Sequence, residues 1–203
     1  MEKAHLSGQI CVWPGKRYAL RMDPSSTTVP VDLVRRAQRG EEAAQRELII
    51  SYQRRIAGFV FAMTGRSDSV EDLSQMVFIK MIRALDRLQA PAQFESWLFR
   101  LARNTCIDHL RRQKLRRIFL PFSPEHEEVP EVAGSVGTEE LDALRHALGQ
   151  LRPKDRALLA LVQEGRSHTE IAQTLKTSVA AVKARLHRAR EQLRQYYQPQ
   201  HES

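Results

Sequence analysis

The strongest constraint on this 203-residue chain is the spacing of its apolar residues, which recur every three or four positions and nowhere alternate as a half-buried strand requires. Between Glu41 and Gly65 the residues Ala44, Leu48, Ile49, Tyr52, Ile56, Phe59, Val60 and Met63 fall on one stripe, which predicts a long helix stopped by the glycine. A shorter helix precedes it, capped by Asp32, with Leu33, Val34 and Ala37 on one face and its end at Gly40. A third, capped by Ser69 or Asp68, turns Leu73, Met76, Val77, Met81, Ile82 and Leu85 inward. A loop over 88–93, broken by Pro91, leads into a helix from Phe94 to about Arg117. Further on, Thr138 opens a helix carrying Leu141, Leu144, Ala147 and Leu148, and Pro153 suits the first position of the next, 153–164, stopped by Gly165. Ser167 with Glu170 forms a capping box, and Ser178 caps a last helix running to about Tyr197. The expected fold class is all-α, as two small helical domains.

Charge divides the chain in the same places. The formal net charge of +8 resolves into +2 over residues 1–31, +7 over 32–118, −6 over 119–140 and +5 over 141–203. Two basic blocks separated by an acidic stretch without a single lysine or arginine read as two modules and a connector. Pro121, Pro124, Pro130, Gly134 and Gly137 make 119–138 a linker. Residues 1–31, broken by Pro14, Gly15, Pro24 and Pro30, read as a poorly ordered leader, and translation starting at Met22 would account for its lack of pattern.

Several classes are excluded. No apolar run approaches the ~20 residues of a membrane-spanning helix. The first 25 residues, interrupted by Lys3, Lys16, Arg17 and Arg21, lack the apolar core of a signal peptide. Cys11 and Cys106 form no disulfide framework, which fits a reducing cytoplasm. Cys106 and His109 are spaced like half a metal site, but no second pair follows, and a helix cysteine is the simpler reading. The seven histidines are scattered and the glutamates of the acidic linker sit on no scaffold, so the chain is not expected to be an enzyme, and no cofactor is expected.

Three segments carry chemistry. Over 167–190 two short helices flank the turn Lys176-Thr177-Ser178, with Ala172 at the crossing and Ile171, Leu175, Val179, Val182 and Leu186 inward. This is helix-turn-helix spacing, which presents the second helix to a DNA major groove. Lys176 stands where a left-handed turn residue is needed, at a cost of about 1 kcal/mol. On the second helix Lys183, Ala184, His187 and Arg188 lie off the apolar arc, with Arg185 at its flank. In the second segment, Phe94, Trp97, Leu98, Leu101 and Thr105 share one face of their helix, while Arg100, Arg103, Asn104, Ile107 and Arg111 occupy another. Cations beside an amide and aromatics suit phosphate contact and base stacking. The third is a ridge of Asp72, Gln75 and Phe78, one helical turn apart, which taken alone reads more readily as an ordinary amphipathic helix.

Taken together, the order EDLSQMVFIKMIRALDRL, FESWLFRLARNTCIDHLRRQKLR, acidic linker, LRPKDRALLALVQEGRSHTEIAQTLKTSVAAVKARLHRAREQLR resembles the extracytoplasmic-function sigma factors of the sigma-70 family. The resemblance implies a bacterial sigma factor that binds core RNA polymerase and directs promoter-specific transcription. It implies that residues 32–118 are the region 2 domain, with Asp72, Gln75 and Phe78 on the β′ clamp helices. Arg100, Arg103, Asn104, Asp108, Arg111 and Arg112 would meet the −10 element, and the 88–93 loop would capture a flipped base. Residues 139–198 would be the region 4 domain, which in this family meets the β flap, with Ser178, Lys183, Ala184, Arg185, His187 and Arg188 at the −35 element. Control by an anti-sigma factor is implied as well. Two rivals remain: a free-standing helix-turn-helix regulator, which would need a dimer arm that the sequence lacks, and a nucleic-acid enzyme.

Overall fold

A computed structural model describes residues 29–119 and 146–197; the leader up to residue 28 with Cys11, the acidic linker and the start of the helix at Thr138 lie outside the described residues. The helices are α1 (Val31–Gln38), α2 (Glu42–Thr64), α3 (Val70–Ala84), α4 (Phe94–Phe119), α5 (residues 146–150), α6 (Pro153–Gln163), α7 (His168–Leu175) and α8 (Val179–Tyr196). No strand occurs among the described residues.

Local chemistry accounts for most of the boundaries. Gly65 and Gly165 take the positive φ that ends α2 and the α6 turn. Pro153 opens α6, where its missing N–H has no intrahelical partner to lose. Asp32 lies inside the first turn of α1 rather than at its cap, which is Pro30; the carboxylate still faces the positive helix end. Val29, within the stretch read as leader, packs against the core.

The long α2 is the axis. Its stripe of Leu48, Tyr52, Ile56, Phe59, Val60 and Met63 is fully buried, between α1, α3 and α4. Helix α4 is seated by two edge-on aromatic pairs, Phe59 with Phe99 at 5.4 Å and Tyr52 with Phe94 at 5.5 Å. Leu73, Val77 and Met81 close the core from α3, and Leu85 from the short 3₁₀ turn that follows it. Met76 does not: expected inward, it is 38% exposed, because the 73–77–81 row already fills the contact.

The two halves, distinct in the sequence, pack on one another. Helix α6 lies against α2, α7 lies against α4, and the apolar cluster runs unbroken from Leu33 through Leu161 to Leu186. Phe59→Ala, which leaves a cavity under α4, is expected to lower unfolding free energy by about 3–5 kcal/mol in denaturant titration, while Ile50→Ala on the solvent side stays within about 0.5 kcal/mol. Equal effects at the two positions would contradict this core.

Candidate nucleic-acid and polymerase interfaces

The helix-turn-helix is built by its caps. At the start of α7, Ser167 Oγ accepts from the Glu170 N–H at 3.2 Å, and the Ser167 N–H donates to the Glu170 carboxylate at 2.8 Å. At its end Lys176 adopts φ 51° and ψ 56°, the one non-glycine residue with positive φ among those described, as the turn demands. The Thr177 N–H then closes on the Ala172 carbonyl at 3.0 Å. Ser178 Oγ caps α8 by accepting from the Ala181 N–H at 3.1 Å. A hydroxyl engaged this way fixes where α8 begins.

Along α8, Val182, Leu186 and Ala189 are buried, and Lys183, Ala184, His187 and Arg188 are exposed on the opposite side. Val179, expected inward, is exposed. Arg185 is held aside: its Nη2 donates to Asp155 Oδ1 at 3.1 Å, and Asp155 also accepts from Arg152 Nε at 3.0 Å. Arg152, Lys154, Arg185 and Arg188 line a notch of about 250 Å³ with Asp155 at its side. The hold of Asp155 on Arg185 carried no signal in the sequence, since the two lie 30 residues apart.

Helix α4 keeps its two faces apart as its sequence does. Phe94, Leu98 and Thr105 are buried, whereas Asn104, Asp108, Arg111 and Arg112 are exposed and Arg100 is half-buried. Thr105 Oγ1 donates to the Leu101 carbonyl at 3.0 Å and accepts from Lys80 Nζ at 3.1 Å, which fixes the rotation of α4 on α3. Arg103 donates to Asn104 Oδ1 at 3.1 Å, and burial, with the charge of Arg185, holds its guanidinium below the ordinary arginine range. Cys106 is fully buried, which pushes its thiol up to about 12.

The 88–93 loop contains a short 3₁₀ turn, Pro91–Gln93, and is tied to α1 by Gln38, whose Nε2 donates to the carbonyls of Leu85 and Leu88 at 3.0 and 2.8 Å. On α3, Asp72 and Gln75 are exposed and Phe78 half-buried. Met76 and Ile79 stand exposed beside them, so the ridge is as much apolar as polar.

The sequence model of Sigma-70 region 2 matches residues 48–116, and that of Sigma-70 region 4 matches 141–193. The RNA polymerase sigma-H factor of Pseudomonas aeruginosa is 31% identical over 179 residues, covering 82% of this chain and 93% of that protein. The chain belongs to the extracytoplasmic-function sigma factors of the sigma-70 family. The sigma-E factor of Escherichia coli K12 has the same identity and coverage. Among solved structures, CnrH in complex with the cytosolic domain of CnrY is 25% identical with a TM-score of 0.59, covering 81% of this chain and 94% of that one. The sigma factor RpoE in complex with the anti-sigma factor NepR from Bartonella quintana shares the fold, with a TM-score of 0.61 at 21% identity over 74% of this chain and 94% of that one. Members of the family are transcription initiation factors, and the helix-turn-helix falls within the region 4 match.

No helix among the described residues is long and apolar enough to cross a membrane. The strain at Lys176 yields a simple test. Lys176→Gly is expected to raise stability by about 0.5–1 kcal/mol and Lys176→Val to lower it by more than about 1 kcal/mol, read as thermal melting. A valine variant as stable as the parent would contradict the left-handed turn.

Proposed function

We propose that this sigma factor reads its promoter at two separate places, the −35 element through α8 and the −10 element through α4, while α3 holds the polymerase clamp helices. The observation that carries this reading is the division of α4 and α8 into a buried apolar face and an exposed face rich in cations and amides. Lys183, Ala184, His187 and Arg188 reach base edges and phosphates of the −35 duplex, with Ser178 and Arg185 at the flank. Arg100, Arg103, Asn104, Asp108, Arg111 and Arg112 meet the −10 element once it opens. Extruding a base costs a few kcal/mol, and the cationic face with the 88–93 loop offsets that cost by stacking and hydrogen bonds.

Asp72, Gln75 and Phe78 engage the β′ clamp helices, and the exposed Met76 and Ile79 add apolar area to that contact. The region 4 half meets the β flap, and the acidic linker, by its sign, follows basic protein surface rather than DNA. Catalysis belongs to the polymerase, and the site of action is the cytoplasm. An anti-sigma factor shelters these apolar and basic faces until they are needed; the structural neighbour RpoE was solved in complex with the anti-sigma factor NepR.

Run-off transcription with core polymerase and genomic DNA tests this. Specific transcripts are expected that disappear with Asp72→Ala, whose fold by circular dichroism is unchanged. Polymerase active on its own yet giving no promoter-specific transcript with this chain would overturn the reading. Holoenzyme binding should also weaken steeply with salt, and Lys183→Ala should reduce the log–log salt slope by about 1; an unchanged slope would remove Lys183 from the DNA.

A further inference from the structure

One carboxylate governs a cation of the reading helix. Asp155 stands in the first turn of α6, where the positive helix end favours it, and its side chain is 5% exposed. Its two oxygens are divided between two arginines. Oδ2 accepts from Arg152 Nε at 3.0 Å and Oδ1 accepts from Arg185 Nη2 at 3.1 Å. The side chain of Arg152 is 64% exposed and that of Arg185 27%. All three residues lie within the region 4 match.

Released, Arg185 would act differently. It stands three positions before Arg188 on α8, about 60° round the helix from it, and the two share the notch with Arg152, Lys154 and Gln192. An arginine loose at the edge of a reading face finds guanine, whose O6 and N7 match its fork. An arginine with one Nη already given to a buried carboxylate cannot offer that whole edge to a base. A guanidinium has five N–H donors, however, so Arg185 and Arg152 each keep some for a further acceptor.

The notch shows which acceptor fits. Four cations against one carboxylate leave it a formal net charge of +3, in a volume of about 250 Å³ that admits a phosphate group. In a helix-turn-helix the first helix crosses the DNA backbone, but α7 carries no lysine or arginine. Cationic anchoring of the backbone therefore falls to the start of α6. Resting on the reading of the −35 element by α8, we propose that Asp155 is a positioning residue for promoter specificity. It withholds Arg185 from base edges and commits it, with Arg152, to a phosphate of the DNA backbone seated in the notch. Base choice is left to Lys183, Ala184, His187 and Arg188.

The test is holoenzyme binding to a promoter found by run-off transcription, and to versions carrying each alternative base pair at every −35 position. Asp155→Ala should gain a preference for guanine of about tenfold at a position next to the one that Arg188 contacts. Asp155→Ala with Arg185→Gln should lose that gain. Neither misfolding nor the loss of one negative charge near DNA creates a preference for a single base. Where Asp155→Ala disturbs folding by circular dichroism, Arg185→Gln alone decides. It should weaken binding by one factor whichever base stands at each position, and lower the log–log salt slope by about 1. An unchanged base profile in Asp155→Ala, a gain that persists with Arg185→Gln, or an Arg185→Gln loss confined to one base pair would overturn the role of Asp155 and leave the two-site reading standing. A parent holoenzyme indifferent to every −35 base pair would defeat that reading, and the role of Asp155 with it.

Discussion

The seating of α4 on α2 by the Phe59–Phe99 and Tyr52–Phe94 pairs is the contact on which the rest of the molecule depends. It sets the rotation of a helix that must seal a core on one side and present arginines on the other. Lys80 and Thr105 fix that rotation from α3, and Gln38 ties the loop leading into α4 to α1. The same Phe99 lies beneath Arg55 and Arg166, so one aromatic ring belongs both to the fold of the first half and to its contact with the second.

Charge in this sigma factor does different work at different depths. On the exposed faces of α4 and α8 cations are solvated and free to exchange counterions for phosphates. Between the halves, paired charges give the contact its geometry and contribute little net stability beyond the apolar cluster around them. The net charge of +8 reports neither role, because it sums exposed cations, neutralised pairs and an acidic connector.

What the sequence disclosed was what is local. The capping box at Ser167 and Glu170, the cap at Ser178, the left-handed Lys176 and the stop at Gly65 are encoded within four residues, and each is found as expected. The buried stripe of α2 and the faces of α4 follow from helical period alone. Errors arose where a partner is remote. Met76 and Val179 fit the period but find no neighbour to cover them. Asp155, Glu95 and Arg166 look like ordinary surface charges until segments 30 or more residues away come into contact. Family resemblance raised the Asp72 ridge above an ordinary amphipathic helix, since its spacing carries no unique meaning. The joining of the two halves was invisible, because period and charge both drew a boundary between them.

The central claim is that one chain reads duplex at one end and opened strands at the other. Permanganate footprinting of the holoenzyme on a promoter identified by run-off transcription tests it most directly. The account predicts reactive thymines at the −10 element that vanish with Arg103→Ala and Asn104→Ala together, while protection of the −35 element persists and is lost instead with Lys183→Ala and Arg188→Ala. Strand opening that survives the first pair, or −35 protection that survives the second, would contradict it.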